Sequence, residues 1–338
     1  MYDVIIAGAS FAGLAVASQL RGATILLDRQ PIGAGQTSTC AMPLGVAMEW
    51  GCQDAIQQVH HAFYIHTGSC TFRYSLYYPF CTVDYAAFCR TLFSRCRAEF
   101  RQAAVTGVEG DSVVTGQGSF QGRFLVDASG WRAALEDPRT PHRHRTGLSF
   151  GLETLVTHQL DGLHFWVDRN YGNQGYGWAF PAGEQTRFGL ASYQGDTHLK
   201  PGLTALLSAH GLEMGQVHGG FIPFTAGPAT RGDVFLVGDA AGQCLPLTGE
   251  GIRPALHFGR FLGETIQAAL DGRISPRNAR LRYQAFLGLH WPFFAALWLM
   301  QKTLPAMADP LVVPFAHLLR LPPLRWLAMF VYRGICWF

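Results

Sequence analysis

Apolar runs broken by short polar turns fill most of this 338-residue chain, and their periods separate strands from helices. Residues 2–7 (YDVIIA) form a short apolar strand. A glycine-rich turn follows, then a helix of small residues to about residue 20, then a strand at 23–27 that ends on Asp28. The spacing predicts an amphipathic helix over 85–100, with Phe88, Leu92, Phe93 and Cys96 on one side. Short strands are expected at 103–108 and 112–115, and 124–126 runs into Asp127-Ala-Ser-Gly130. Between 147 and 225 the pattern changes to alternating runs at 148–156, 164–167, 176–181 and 187–193, separated by glycine-rich turns, which predicts an antiparallel sheet. Four apolar residues at 234–237 make a buried strand, and a Gly-Glu-Gly turn opens a helical run at 253–270. No fixed-period repeat is evident.

Two of these junctions carry chemistry. At the first, Gly8 permits a tight turn, Gly13 lets helix and strand pack closely, and Asp28 is placed to bind an adenosine ribose. Ser10 stands where the dinucleotide pattern has its second glycine, beside the pyrophosphate. At the second, Asp239 follows Gly238 where the 234–237 strand ends, and the helix after Gly249-Glu250-Gly251 presents unpaired N–H groups. An acid that accepts from a sugar-like hydroxyl chain, beside a helix start that holds partial negative charge, suits the ribityl chain and the N1/O2 ring edge of a flavin. An ordinary βαβ turn explains the first junction alone, but not the second.

The two segments, their order and their separation resemble the FAD-dependent oxidoreductases of the p-hydroxybenzoate hydroxylase fold, and within them the geranylgeranyl reductase family. GDAAGQCLPLTGEGI (238–252) is similar to that family's second flavin motif, and GYGWAFPAGEQTRFGLASY (175–193) resembles its substrate-domain signature. Tyr176, Trp178, Phe180 and Pro181 match that signature, while Asn173 stands where the family has proline. The resemblance covers most of residues 1 to about 290. It implies an α/β fold: a Rossmann-like FAD-binding domain, an inserted antiparallel substrate sheet and an apolar helical C-terminal region. The expected parts are 1–146 (with substrate-side elements at 49–84), 147–228, 229–275 and 276–338. The implied cofactor is FAD, held by Gly8, Ser10, Ala12, Gly13, Asp28, Cys40, Ala41, Val105, Asp239, Gly249, Gly251 and Ile252, with Ala12 and Val105 contributing backbone. The family usually has an arginine where this chain has Tyr85, and glycines where it has Ala41-Met42-Pro43.

The implied reaction is saturation of C=C bonds in a polyprenyl chain carried by a lipid, a chlorin or a quinone, with NAD(P)H or ferredoxin as electron donor. Protonation of a trisubstituted alkene develops tertiary cation character, which aromatic faces stabilise without trapping it. Tyr176 and Trp178 are the candidates for that role, and Cys40 for a place near the flavin. Core packing accounts for all three equally simply, since alternation is what a half-buried strand shows.

Composition narrows the alternatives. Hydrophobic residues make up 49% of the chain and charged residues 14%, and the net charge of +3 is too small to argue for nucleic acid. Eight cysteines without a C-x-x-C pair favour reduced thiols, and Met1 leads straight into the first strand, so a cytoplasmic location is expected. His60 and His61 lack further ligands at metal spacing. A flavin monooxygenase shares the nucleotide motifs. A flavin-dependent halogenase looks to an N-terminal lysine, and here the only lysines are Lys200 and Lys302. A membrane flavoprotein without chemistry is the third rival. The run 283–301 contains no Asp, Glu, Lys or Arg, and is interrupted by His290 and Pro292. Prolines 305, 310, 314, 322 and 323 break the apolar clusters beyond it, and Arg320, Arg325 and Arg333 punctuate the end. Contact with a membrane surface is expected for this region, a cap over the core being the alternative and a spanning helix disfavoured. The basic cluster Arg139, His142, Arg143, His144 and Arg145 reads as a solvated connector or a phosphate contact.

Overall fold

The computed structural model describes residues 1–36, 38–68, 70–135, 147–168, 170–171, 174–303 and 309–336. Asn173, Pro305 and the 139–145 cluster lie outside them. The chain divides into two compact units, one of residues 1–36, 85–146 and 223–297, the other of 37–84, 147–222 and 298–338. Residues 37–48, expected with the nucleotide-binding part, cluster with the second unit.

The first unit is built on a parallel sheet in the order Val234–Leu236, Gly118–Asp127, Tyr2–Ala7, Thr24–Asp28, Glu99–Gln102. The strand Thr230–Arg231 adds antiparallel at one edge, and a small antiparallel flap, Val105–Glu109 and Ser112–Thr115, extends from Gly118–Asp127. Strand order reverses at Tyr2–Ala7, so the crevice beyond the carboxyl ends of Tyr2–Ala7, Gly118–Asp127 and Val234–Leu236 is the switch point of the sheet. The helix Phe11–Ala17 is buried along its whole length, as its small side chains allow. It packs against Ile252–Leu270 through two glycines. A Cβ on Gly259 would stand 2.8 Å from the Ala12 carbonyl oxygen, and one on Gly263 2.5 Å from that of Val16.

One expectation fails here. The helix predicted over 85–100 ends at Phe93, and Glu99–Gln102 is the edge strand that pairs Phe100 with Leu26. Phe100 carries the apolar period of the helix, but its ring meets Phe93 edge-on, 6.2 Å between centroids, from the strand. Period alone does not separate a continued helix from a turn into a short strand.

The second unit holds an eight-stranded sheet in the order Val217–Pro223, Leu148–Thr157, Gln185–Ser192, Gly175–Ala182, Leu163–Trp166, Ile56–Thr67, Cys70–Val83, Ala41–Pro43. The predicted antiparallel sheet thus gains three strands from residues 41–83. Its Leu163–Trp166 strand pairs in parallel with Ile56–Thr67, which makes the sheet mixed. One face, carrying Leu152, Ala179, Phe188 and Leu190, is closed by the helix Lys200–Ser208 through Leu203, Leu206 and Leu207.

Pro276–Thr303 is a single helix that continues through Pro292. His290 and Pro292 therefore do not interrupt it, although Pro292 has no N–H for the Gly288 carbonyl. Among the described residues no helix is long and apolar enough to cross a membrane.

The glycine contact between the two helices gives a direct test. Gly263→Ala should destabilise the protein by about 1–3 kcal/mol through overpacking, despite the roughly 1 kcal/mol gain in helix propensity. Chemical denaturation read by circular dichroism measures the change.

Candidate flavin and substrate sites

In the first unit, the Gly-rich turn and the Gly-Asp turn meet. Gly8 adopts φ +106°, and a Cβ there would fall inside the Ala128 carbonyl. A Cβ on Gly13 would collide with the Gly8 carbonyl, which is why helix and strand lie so close. Gly238 adopts φ +66° and stands over Ala12, where a Cβ would come within 2.8 Å of the alanine methyl. Asp28 accepts the Ala9 N–H on one oxygen (2.8 Å) and the Gln30 N–H on the other (2.9 Å). A carboxylate offers about four acceptor positions, so lone pairs remain for a diol.

Ser10 precedes the first helix without capping it; instead its Oγ accepts the Tyr85 hydroxyl at 3.0 Å. Two departures from the family pattern thus touch each other. Val105 is half-buried at the start of the antiparallel flap and packs on the core of the parallel sheet. Asp127 is fully buried and accepts from the Ser129 N–H and hydroxyl and the Leu135 N–H, which makes it the anchor of its own turn.

Asp239 sits in a short 3-10 turn, Gly238–Ala241, closed by Gly242 in the left-handed region. Gln243 braces this turn: its Oε1 accepts the Gly238 N–H at 2.7 Å, and its Nε2 donates to Tyr283, whose hydroxyl donates to the Leu236 carbonyl. Desolvation pushes the Asp239 carboxyl up to about 6. The loop beyond is tied by Leu245 N–H to the Glu250 carbonyl and by a bidentate pair between Glu250 and the buried Arg253, both contacts 2.8 Å. Gly251 precedes Ile252–Leu270 as an N-cap without side-chain capping, and a Cβ on it would meet only ordinary contacts at 3.6 Å and beyond. Gly249 adopts φ +65°, and Ile252 is buried.

Cys40, Ala41, Tyr176 and Trp178 belong to the second unit. Cys40 is fully buried in the left-handed region (φ +56°), its N–H on the Ser38 hydroxyl and its carbonyl accepting from Val83. Such a conformation costs a non-glycine residue about 1–3 kcal/mol. Ala41 then starts the edge strand opposite Thr82.

Alternation puts Tyr176, Trp178 and Phe180 on the sheet face opposite the Lys200–Ser208 helix, together with Phe165 and Phe63. Trp178 aligns with Gly189 and, one strand further, with Glu153. Its indole lies across Gly189, where a Cβ would overlap the ring, and its Nε1 donates to Glu153 Oε2 at 3.0 Å. Glu153 also faces Arg187 and His218, each at 3.3 Å. Sequence reasoning missed Glu153, Arg187 and the Glu250–Arg253 pair. The signal was present for Glu153, a lone charge within an otherwise uncharged alternating run at 148–156.

No family model matches the chain. It is 34% identical over 131 residues to a geranylgeranyl diphosphate reductase of Rhodobacter capsulatus, which is 37% of this chain and 33% of that protein. It is 34% identical over 139 residues to digeranylgeranylglycerophospholipid reductase 2 of Methanopyrus kandleri, 37% and 35% of the two chains. The chain therefore spans about a third of the length of the curated relatives it matches. A geranylgeranyl bacteriochlorophyll reductase-like protein of Thermoplasma acidophilum superposes with a TM-score of 0.80 at 18% identity, covering 91% of this chain and 89% of its own. The fold is that of the FAD-dependent oxidoreductases. A probable FAD-dependent monooxygenase of Pseudomonas aeruginosa, PqsL, shares it with a TM-score of 0.68 at 17% identity, over 90% and 96% of the two chains. The fold expected from the resemblance is borne out, and similarity to geranylgeranyl reductases extends to sequence.

The raised Asp239 carboxyl predicts a pH signature in the flavin-free protein. Its folded pKa of about 6 lies above the ordinary 3.8, so the folded state binds the extra proton between those values. Stability from this group then falls as pH rises through about 4 to 6, by roughly 1–3 kcal/mol. Asp239→Asn should remove that slope and stabilise the apo-protein at pH 7, as urea melts across the pH range would measure.

Proposed function

We propose that the protein is an FAD-dependent reductase that saturates C=C bonds of a polyprenyl chain on a lipid, chlorin or quinone. The observation that carries this reading is the coexistence of the 238–252 turn and the Tyr176/Trp178/Phe180 face in a chain similar to geranylgeranyl reductases. The residues present suit the cofactor. Gly8 and Gly13 bring backbone close to the pyrophosphate side, with Ser10 and Ala12 between them, and Asp28 offers acceptors to the adenosine ribose. Asp239 would accept from the ribityl hydroxyls. Gly249, Gly251 and Ile252 present backbone to the ring, and Gly251 leaves space that no packing of the protein itself requires. Val105 belongs to the same unit, and the family resemblance adds Cys40 and Ala41. FAD, when bound, supplies hydride at its N5.

The chain's own contribution to the chemistry is to hold an alkene against aromatic faces and away from water. Tyr176 and Trp178 stabilise cation character at the substituted carbon. Glu153 fixes the plane of the Trp178 indole through its N–H and enriches the ring it accepts from. NAD(P)H or ferredoxin is the source of electrons. The likeness to PqsL favours one second reading, hydroxylation of an apolar substrate. It predicts oxygen uptake coupled to NAD(P)H oxidation, which the reductase reading does not.

The same reading sets a membrane surface beside the protein, on its cytoplasmic side. The helix Pro322–Ile335 is fastened by one side: Tyr77 and Tyr78 donate to the Pro322 and Met329 carbonyls, and Tyr332 meets Phe80. Leu324, Trp326, Leu327, Phe330 and Val331 point outward, 36–59% exposed, among Arg320, Arg325 and Arg333. An outward apolar stripe flanked by arginines suits an anionic lipid interface.

Four outcomes are expected. Photoreduced FAD on the protein should be reoxidised without oxygen by geranylgeraniol, with one H2 gained per bond in the mass spectrum; absence of both defeats the reading. Tyr176→Leu should lower the rate roughly 5- to 30-fold, the equivalent of about 1–2 kcal/mol of cation–π stabilisation, and Asp239→Ala should weaken FAD about 10- to 100-fold in a fluorescence titration. Trp326→Ser with Phe330→Ser should reduce co-sedimentation with phosphatidylglycerol vesicles while leaving flavin content unchanged.

A further inference from the structure

A pocket of about 270 Å3 opens in the first unit between the 226–230 loop and the helices Ile252–Leu270 and Pro276–Thr303. Pro228, Phe258, Leu287, Trp291 and Phe294 supply most of its wall, Phe258 and Phe294 buried at its base and Trp291 62% exposed at its rim. Four polar side chains line it, Thr230, Gln243, Gln284 and His290, and two of them are engaged in bonds to the protein. Both ends of the Gln243 amide are engaged in bracing the Gly-Asp turn. His290 lies with Nδ1 2.9 Å from the Phe286 carbonyl, so Nδ1 carries the proton and Nε2 accepts from His257 at 3.3 Å. Burial lowers both imidazoles, His257 to about 4, which leaves this wall neutral near pH 7. No Arg, Lys, Asp or Glu lines the pocket.

Gly288 supplies a second, independent observation. It lies inside a 28-residue helix, where glycine costs about 0.5–1 kcal/mol relative to alanine. A Cβ added there meets nothing within 4 Å, so no packing of the protein requires the glycine. Pro292 acts on its carbonyl, not at its Cβ position. What the missing side chain does is leave the pocket mouth open, since Gly288 is part of the lining. The helix surface around that mouth is apolar, with Leu289 72% and Phe293 39% exposed, and residues 283–301 carry no formal charge.

We infer that this pocket of the first unit seats the end of one neutral hydrocarbon chain, prenyl or acyl. At about 30 Å3 per water-sized group the volume holds roughly nine such groups, the size of a short aliphatic segment. Anions are excluded because the lining has no cation, and an apolar ligand is favoured because apolar residues make up most of the lining. Small, dry apolar pockets take apolar ligands readily. The inference stands without the reductase reading, since it concerns binding alone.

The test uses the FAD-loaded full chain and decan-1-ol bearing a terminal diazirine, at a concentration where it is monomeric. After irradiation, adducts should map to peptides containing 226–230 or 287–294, and unlabelled decan-1-ol should compete. Gly288→Phe, whose ring fills the mouth, should lower labelling roughly tenfold, the loss expected from about two unburied methylenes. Gly288→Ala should retain it. Both variants should melt no lower than the parent, because each improves helix propensity. The same diazirine on the acyl chain of phosphatidylcholine vesicles tells a membrane lipid from a free alcohol, and labelling from either source supports the site. Labelling unchanged by Gly288→Phe, or spread over 289–300 regardless of the variant, overturns it. Adducts at this site in a protein that reduces no prenyl alcohol would preserve the pocket and sink only the reductase reading.

Discussion

Close approach of backbone at five glycines holds the two turns of the first unit together. Gly8 and Gly13 let the first turn and helix lie against the sheet, and Gly238 lets the Gly-Asp turn rest on Ala12. Gly259 and Gly263 let the helix after the second turn lie on the first helix. The Gly13 contact is local, to Gly8, while the other four join residues 8–17 to segments far along the chain, so the two turns share one seam. A methyl group at any of these positions meets carbonyl oxygen or another methyl at under 3 Å, and close-packed interiors do not absorb that without moving backbone. The positions of Asp28 and Asp239 relative to each other follow from this seam.

Much of that arrangement is legible in the sequence. Strand, glycine turn, helix, strand and acid occur in the order the geometry needs, and the 234–237 strand with its following turn stands where predicted. The four alternating runs between 147 and 193 are strands within a residue or two of their expected limits. What escaped is instructive. Ile56–Thr67 and Cys70–Val83 alternate too, but polar His, Gln, Arg and Thr share their faces, so no single apolar side announces them. The helix Lys200–Ser208 is too short for a clear period. Phe100 belongs to a helical stripe by count and to a strand by pairing. Tertiary neighbours decide such cases, and one sequence does not display them.

Departures from the family pattern turn out to be locally consistent. Ser10 adds a hydroxyl beside the first turn, and Tyr85 brings the group that donates to it, with its ring edge-on to Phe11 at 5.4 Å. The pair fills with a neutral hydrogen bond a place where the family has glycine and arginine. On the sheet of the second unit, Glu153 plays a similar compensating part. A carboxylate among aromatic side chains is costly to bury alone, but Arg187, His218 and the Trp178 N–H surround it, and the cluster fixes one indole orientation. Removing Glu153 would leave a buried guanidinium without this partner as well as a loose indole, so its structural and positioning roles are inseparable in a simple truncation.

Asp239 presents the opposite case. Asp127 is satisfied by three donors of its own turn, and Glu250 pairs with Arg253. At Asp239 desolvation is the only cause that shifts the carboxyl, and it shifts it toward the neutral form. The backbone beneath it is meanwhile braced through Gln243 and Tyr283. A group held rigidly in a position that disfavours its charge is stabilised by whatever brings hydrogen-bond donors to it. Polyhydroxyl ligands do so without adding charge, and each donor draws the carboxyl back toward ionisation. A ligand of this kind at Asp239 would relieve a cost that the fold alone imposes.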